Sequence, residues 1–152
     1  MTGYCLFAAR DAACTFPITG PFTPPANNVS LFAIMDDCIF CKIVRGEIPA
    51  RKVYEDDDIL AFNDARPLAP VHFMLVPKKH IASLADVKPE DTEVLGRMLA
   101  LSGRLAREQG SPDGYRSIVN TGRIARQEVM HLHIHIIGGP NQLGPMLPRP
   151  NI

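Results

Sequence analysis

The chain has 152 residues, sixteen basic ones balanced by sixteen acidic ones, and 46% of it is apolar. That suits one compact domain with one core; it excludes a strongly charged disordered chain and favours neither nucleic acid nor an anionic membrane as partner. No apolar run reaches the roughly 18 residues of a membrane-spanning helix. The four cysteines, with no basic-then-apolar leader before them, read as intracellular thiols rather than a disulfide framework, so a cytoplasmic protein is expected.

Residues 1–34 carry prolines at 17, 21, 24 and 25 and hold no period for long, which reads as a loosely ordered extension before a domain spanning 35–152. Met35-Asp36-Asp37-Cys38 opens the periodic part abruptly, so translation starting at Met35 is an open alternative. The pattern Ile39, Phe40, Ile43, Val44 predicts a short helix to Arg45, stopped by Gly46 and Pro49. Strands at Lys52–Glu55 and Ile59–Phe62 flank the turn Asp56-Asp57-Asp58, and His72–Pro77 reads as a third, apolar strand. Pro89-Glu90-Asp91 marks a helix start and Gly110 a stop. Between them Val94, Leu95, Met98, Leu99, Leu101 and Leu105 recur at helical spacing and predict one long helix packed on a sheet. Ser117–Asn120 and His131–Ile137 complete that sheet.

In His131-Leu132-His133-Ile134-His135-Ile136 a strand would send every imidazole to one face and every aliphatic side chain to the other. A buried histidine needs a polar partner that aliphatic neighbours cannot give, so an aligned trio points to chemistry more than to packing. Same-face neighbours on a strand stand about 7 Å apart and the outer pair about 13 Å. Three imidazoles so spaced do not share one metal with bonds of ~2 Å. At least one is left for nucleophilic or acid–base work, which a group titrating near pH 6.5 suits. Separately, Cys38-x-x-Cys41 has the spacing of half a zinc site, with His80 and His131 as candidate further ligands, but a redox pair or two core thiols fit it equally.

The run His131 to Gly139 resembles the signature of the histidine triad superfamily, in the Hint-like branch of purine nucleoside phosphoramidases. Segments around Cys38–Ile43, Gly46–Ala50, Ala61–Asp64, Ala69–Phe73, Val76–Ile81 and Gly114–Arg116 also resemble family segments in order, over about residues 36–147. The resemblance implies an α+β, HIT-like fold with a five-stranded antiparallel sheet, one long helix and one short helix, paired as a homodimer. It implies hydrolysis of nucleoside 5'-phosphoramidates through a covalent nucleotidyl-histidine on His133, with His135 bonding the phosphate and His72 orienting the nucleophilic ring. Asn120 and Gln127 match phosphate-site positions and Asp64 a ribose-binding carboxylate; Ile39, Phe40, Ile43 and Phe62 match walls of a purine pocket. From residue type alone, Phe40 and Phe62 fit ordinary core packing and Asp64 a turn before Pro67. For the cysteine pair, the resemblance implies a structural zinc ion held by Cys38, Cys41, His80 and His131, as in a zinc-containing bacterial subset.

Three departures from the family pattern stand out. Arg126 occupies the place of a glycine before Gln127, Glu128 that of a frequent serine, and Pro140 that of an arginine or polar residue. Hydrolysis of dinucleoside polyphosphates is the alternative within enzymes, and a zinc-stabilised nucleotide-binding or scaffolding module is the alternative outside them. The pair Gly138-Gly139 and the retained His72, His133, His135 and Asn120 weigh against these.

Overall fold

The computed structural model describes residues 37–145; the extension 1–34 with Cys5 and Cys14, the start considered at Met35, and residues 146–152 lie outside them. The first element is α1 (Ile39–Val44). It ends where Gly46 takes φ 77°, a left-handed turn that glycine enters without penalty, and returns its N–H to the Ile43 carbonyl. Strands β1 (Lys52–Glu55) and β2 (Ile59–Asn63) follow. Their acidic connection is an Asx turn in which Asp56 Oδ1 accepts the Asp58 and Ile59 N–H groups, while Arg97 reaches across to Asp56 and Asp58.

Strand β3 (Val71–Pro77) is buried along its whole length, which explains its lack of polar alternation: it lies at the centre of the sheet. A 3-10 turn at Pro89–Asp91 leads into α2 (Thr92–Glu108), so the proline start holds but the α-helix proper begins three residues later. Met98, Leu105 and Ala106 of α2 are buried, Val94, Leu95 and Leu101 pack beside them, and Leu99 points outward. Strands β4 (Tyr115–Ile118) and β5 (Ile134–Gly138) complete a five-stranded antiparallel sheet in the order β1-β2-β3-β5-β4.

Period-two alternation splits the interior in two. Ile59, Ala61, Phe73, Leu75, Ile134 and Ile136 face α2. Leu60, Phe62, Met74 and Val76 face the other way and meet Phe40 and Ile43 of α1. No helix among the described residues is long and apolar enough to cross a membrane.

Two strand boundaries differ from the sequence reading. Strand β4 spans 115–118 rather than 117–120, since Tyr115 pairs with Gly138 and Ile118 with His135. Strand β5 begins at Ile134, not His131. Its last partner on β3 is Leu75, and Pro77 has no N–H with which to extend a ladder; Leu132 instead donates its N–H to Ile81. The alternation of side chains nevertheless persists, because Leu132 joins the α2-side core while His131 and His133 meet Phe40.

The glycine pair at the end of β5 has a packing reason. A Cβ on Gly138 would stand 2.2 Å from Ser111 Oγ, and that hydroxyl is held in place by donating to Gly114 O and accepting from Gly139 N. Gly138→Ala is therefore expected to destabilise the fold by roughly 1–3 kcal/mol through overpacking. Urea melts of the two proteins check this; coincident midpoints would refute it.

Candidate functional site

Two clusters of polar side chains lie on the α1 side of the sheet, joined at His131. In the first, His131 Nε2 donates to the Pro77 carbonyl at 2.8 Å, which leaves Nδ1 as the atom with the lone pair. That Nδ1 faces Cys38 Sγ at 3.5 Å and Cys41 Sγ at 3.6 Å, and His80 Nδ1 stands 3.3 Å from Cys41 Sγ. The four candidate ligand atoms all lie within 4.8 Å of one another. Zinc bonds of ~2.3 Å to sulfur and ~2.0 Å to nitrogen in a tetrahedron put sulfur and nitrogen ~3.5 Å apart, so the spacing fits one four-coordinate ion. Carbonyl-held imidazoles are also the usual outer support of such ligands. Both thiols are free of disulfides, and burial together with Cys38 pushes Cys41 up to about 11. A divalent cation would reverse that preference by binding the thiolates.

In the second cluster, the nucleophile candidate His133 is buried and donates Nδ1–H to the carbonyl of His131 at 2.7 Å. A carbonyl only accepts, so the neutral ring carries its free lone pair on Nε2. Phe40 packs edge-on against this ring at 5.3 Å, and the ring of His135 lies 4.9 Å away. The expectation that His72 orients His133 is corrected: His72 pairs with Ile137 across β3 and β5 and reaches only the diagonal residue. There, its Nε2 meets His135 Nδ1 at 3.0 Å.

The direction of this contact follows from its far end. Leu68 N–H, which can only donate, points at His72 Nδ1 at 3.1 Å. The neutral His72 must therefore hold its hydrogen on Nε2 and give it to His135 Nδ1, which puts the hydrogen of His135 on its Nε2. His135 thus has a donor to offer an anion. Asp64 Oδ2 lies 3.5 Å from His72 Nε2, while Asp64 Oδ1 caps the Arg66 N–H, so Asp64 is a turn residue that also borders the histidines. Asp64, His72 and His135 lie close enough for a metal, but the ring hydrogen on His72 Nε2 occupies the atom that would ligate it.

Burial, then the neighbouring His133 and His72, pull His135 down to about 4, against the opposing pull of Asp64 and Glu128. His131 falls to about 4 as well, through burial first. Each binds protons more weakly folded than unfolded, so stability is full above pH 6.5 and falls as pH drops from 6.5 towards 4. Below about 4 this contribution is spent. For the wholly buried His131 the loss is on the order of 3 kcal/mol. Melts of chelator-treated protein across that window check it, and a flat profile would refute it.

The remaining expected site residues divide. Phe40, Ile43 and Phe62 are 6%, 7% and 3% exposed and form core, whereas Ile39 at 46% offers apolar surface. Asn120 makes no hydrogen bond with its side chain among the described residues and is half-buried just beyond β4. Gln127 is committed elsewhere: Oε1 accepts Gly122 N–H, and Nε2 donates to Ala82 O and Val129 O, so it pins the loop 122–129. Sequence reasoning missed the backbone atoms that set the tautomers, namely Pro77 O, His131 O and Leu68 N. The prolines of Pro67-Leu68-Ala69-Pro70 were the one signal that this segment is held rigid.

A family model described as "Scavenger mRNA decapping enzyme C-term binding" matches residues 37–145. Protein HitA of Neisseria gonorrhoeae is 49% identical over 106 residues, covering 70% of this chain and 99% of that protein. The purine nucleoside phosphoramidase of Escherichia coli K12 is 45% identical over 113 residues, 74% of this chain and 94% of that enzyme. Among solved structures, a HIT family hydrolase from Legionella pneumophila matches with TM-score 0.67 at 47% identity, covering 72% of this chain and 98% of that one. A zinc-bound histidine triad family protein from Mycobacterium smegmatis matches with TM-score 0.62 at 35% identity, covering 70% and 78%.

Proposed function

Since the chain belongs to the histidine triad superfamily and its relatives include HIT hydrolases, we propose that it hydrolyses purine nucleoside 5'-phosphoramidates through a covalent nucleotidyl-histidine on His133. The observation that carries this reading is the hydrogen-bond pattern: His133 Nδ1–H on the His131 carbonyl frees Nε2 to attack, while the chain Leu68 to His72 to His135 ends in an N–H donor. A bond forms between Nε2 and the α-phosphorus as the phosphorus–nitrogen bond breaks. Its electron pair leaves with the amine, which takes a proton from solvent. Water then attacks phosphorus and releases the nucleoside monophosphate, restoring His133.

Each further residue has a part in this reading. The neutral His135 donates Nε2–H to a phosphate oxygen that gains charge, and His72 is a positioning residue acting through it. Asn120, whose amide is uncommitted, binds phosphate; Gln127 shapes the loop that borders it. Asp64 takes the ribose hydroxyls with Oδ2, and Ile39 provides the accessible apolar contact for a purine, with Phe40, Ile43 and Phe62 as the packed layer behind it. The four ligands Cys38, Cys41, His80 and His131 hold zinc, which ties α1 to the sheet. Four protein ligands leave no open coordination position for water, so its part is structural.

Release of AMP and amine from an adenosine phosphoramidate, with an acid-labile adenylyl-protein trapped on quenching, tests the route. Turnover without any adenylylated protein would remove the covalent step. Among the described residues no strand pairs with the outer edge of β4, and Leu99 and Tyr115 stand exposed nearby on α2 and β4. Such an edge is completed by pairing with another strand, here the same strand of a second copy. A light-scattering mass of twice the chain is expected at micromolar concentration; the monomer mass would sink the pairing.

A further inference from the structure

Residues 64–70, which join β2 to β3, carry the N–H that sets the sense of the contact between His72 and His135. Leu68 gives that hydrogen to His72 Nδ1 at 3.1 Å while its side chain is 79% exposed, so packing of the leucine does not place it. The start of the loop is fixed from within: Asp64 N–H donates to the His72 carbonyl, and Asp64 Oδ1 accepts the Arg66 N–H. Its end rests on another strand. Val71 pairs with Gly138, and one position further out the Pro70 ring lies against Gly139, where a Cβ would meet Pro70 Cβ, Cγ and Cδ all at 3.3 Å.

Gly139 is held from a second direction as well. Its N–H donates to Oγ of the buried Ser111 at 2.8 Å, and its φ of 150° is one that residues with a Cβ rarely adopt. Ser111 is enclosed and Pro70 is exposed, so a methyl group added at 139 displaces the proline, by a few tenths of an ångström, more readily than the glycine. The proline ring is stiff and stands two residues from Leu68, so its shift is passed along the loop. The Leu68 bond has little length to spare, since N–H donors weaken beyond ~3.2 Å. Asp64 Oδ2, 3.5 Å from His72 Nε2, is too distant to hold the ring hydrogen alone. Without the Leu68 donor, His72 is free to carry its hydrogen on Nδ1 and to accept one from His135 Nδ1. His135 then turns a lone pair, not a hydrogen, to the site.

We propose that Gly139 is a positioning residue of the histidine site. By admitting the Pro70 ring against its backbone, it sets the β2–β3 loop where Leu68 N–H holds His72, and through it His135, in the form that donates to an anion. Gly139 acts only through Pro70, Leu68 and His72. For its effect on turnover the inference rests on the phosphoramidase reading.

The test reads the ring nitrogens directly, in long-range proton–nitrogen spectra of ¹⁵N-labelled protein prepared with zinc available. In the parent, His72 and His135 should each show a protonated Nε2 and a bare Nδ1. Gly139→Ala and Pro70→Ala disturb the contact from its two sides, and both should shift these nitrogens towards a mixture of tautomers. In each, kcat/KM for an adenosine phosphoramidate should fall about three- to tenfold, as one weakened hydrogen bond gives. Leu68→Pro deletes the hydrogen itself and should give the same signature, and adding Gly139→Ala to it should cost nothing further. Met98→Ala, which loosens the core on the opposite face of the sheet, should lower Tm and leave the ring nitrogens as in the parent. Parent-like nitrogens in both Gly139→Ala and Pro70→Ala overturn the inference, as does the same shift in Met98→Ala. A parent with His72 protonated on Nδ1 overturns it too. The expected shifts in a protein that turns over no phosphoramidate uphold the positioning and overturn the reading beneath it.

Discussion

His133→Ala is expected to lower kcat/KM for an adenosine phosphoramidate by about 10⁴-fold or more, because it removes the atom that bonds to phosphorus. His135→Ala should cost about 10²–10³-fold, the range for losing one donor to developing charge. His72→Ala should act through His135, so its loss and that of His135→Ala should not add. The three variants differ in one further readout. Adenylyl-protein should be trapped from His135→Ala and His72→Ala but never from His133→Ala. Residual turnover by His133→Ala within tenfold of the parent would show that another group attacks phosphorus. Circular dichroism guards the comparison, since His133 is 5% exposed and packs against Phe40.

Removing the metal is expected to have the largest effect on stability. Protein prepared with zinc available should carry stoichiometric metal, and chelation or Cys41→Ser should lower Tm by roughly 10–20 °C, corresponding to about 3–5 kcal/mol. Cys41→Ala separates the readings: a core thiol replaced by alanine costs only about 1 kcal/mol and changes no metal content, whereas a lost ligand empties the site with either substitution. Elemental analysis alongside thermal melts decides. A metal-free preparation in which Cys38→Ser melts with the parent would remove the site. Activity should fall as well, because the peptide group of His131 supplies the carbonyl that holds His133 while its ring faces Cys38 and Cys41.

The elements legible in the sequence were those whose own residues enforce them. Gly46 and Gly110 end their helices with positive φ, and Asp56 closes its turn with its own carboxylate. The four candidate metal ligands, separated by up to 93 positions, do converge. What the sequence hid depends on partners chosen in three dimensions. The start of β5 is set by a proline on another strand and by Ile81, and the reach of His72 by a register between β3 and β5. The commitment of Gln127 to Ala82 O and Val129 O follows the same rule. The tautomers lie deepest, because they are fixed by peptide groups that every residue possesses.

Those tautomers also bear on the second half of the proposed cycle. A peptide N–H has no other role to adopt, so the sense of the chain from Leu68 to His135 is fixed at folding. His135 gives a hydrogen and offers no lone pair, which leaves the site without an imidazole base for the incoming water. It needs none to expel the enzyme ring. With Nδ1 still protonated against the His131 carbonyl, His133 bound to phosphorus is a cation and departs as a neutral imidazole without gaining a proton. The hydrolytic step should therefore run as attack by water on an already activated phosphorus, with the water's proton passing to phosphate or solvent.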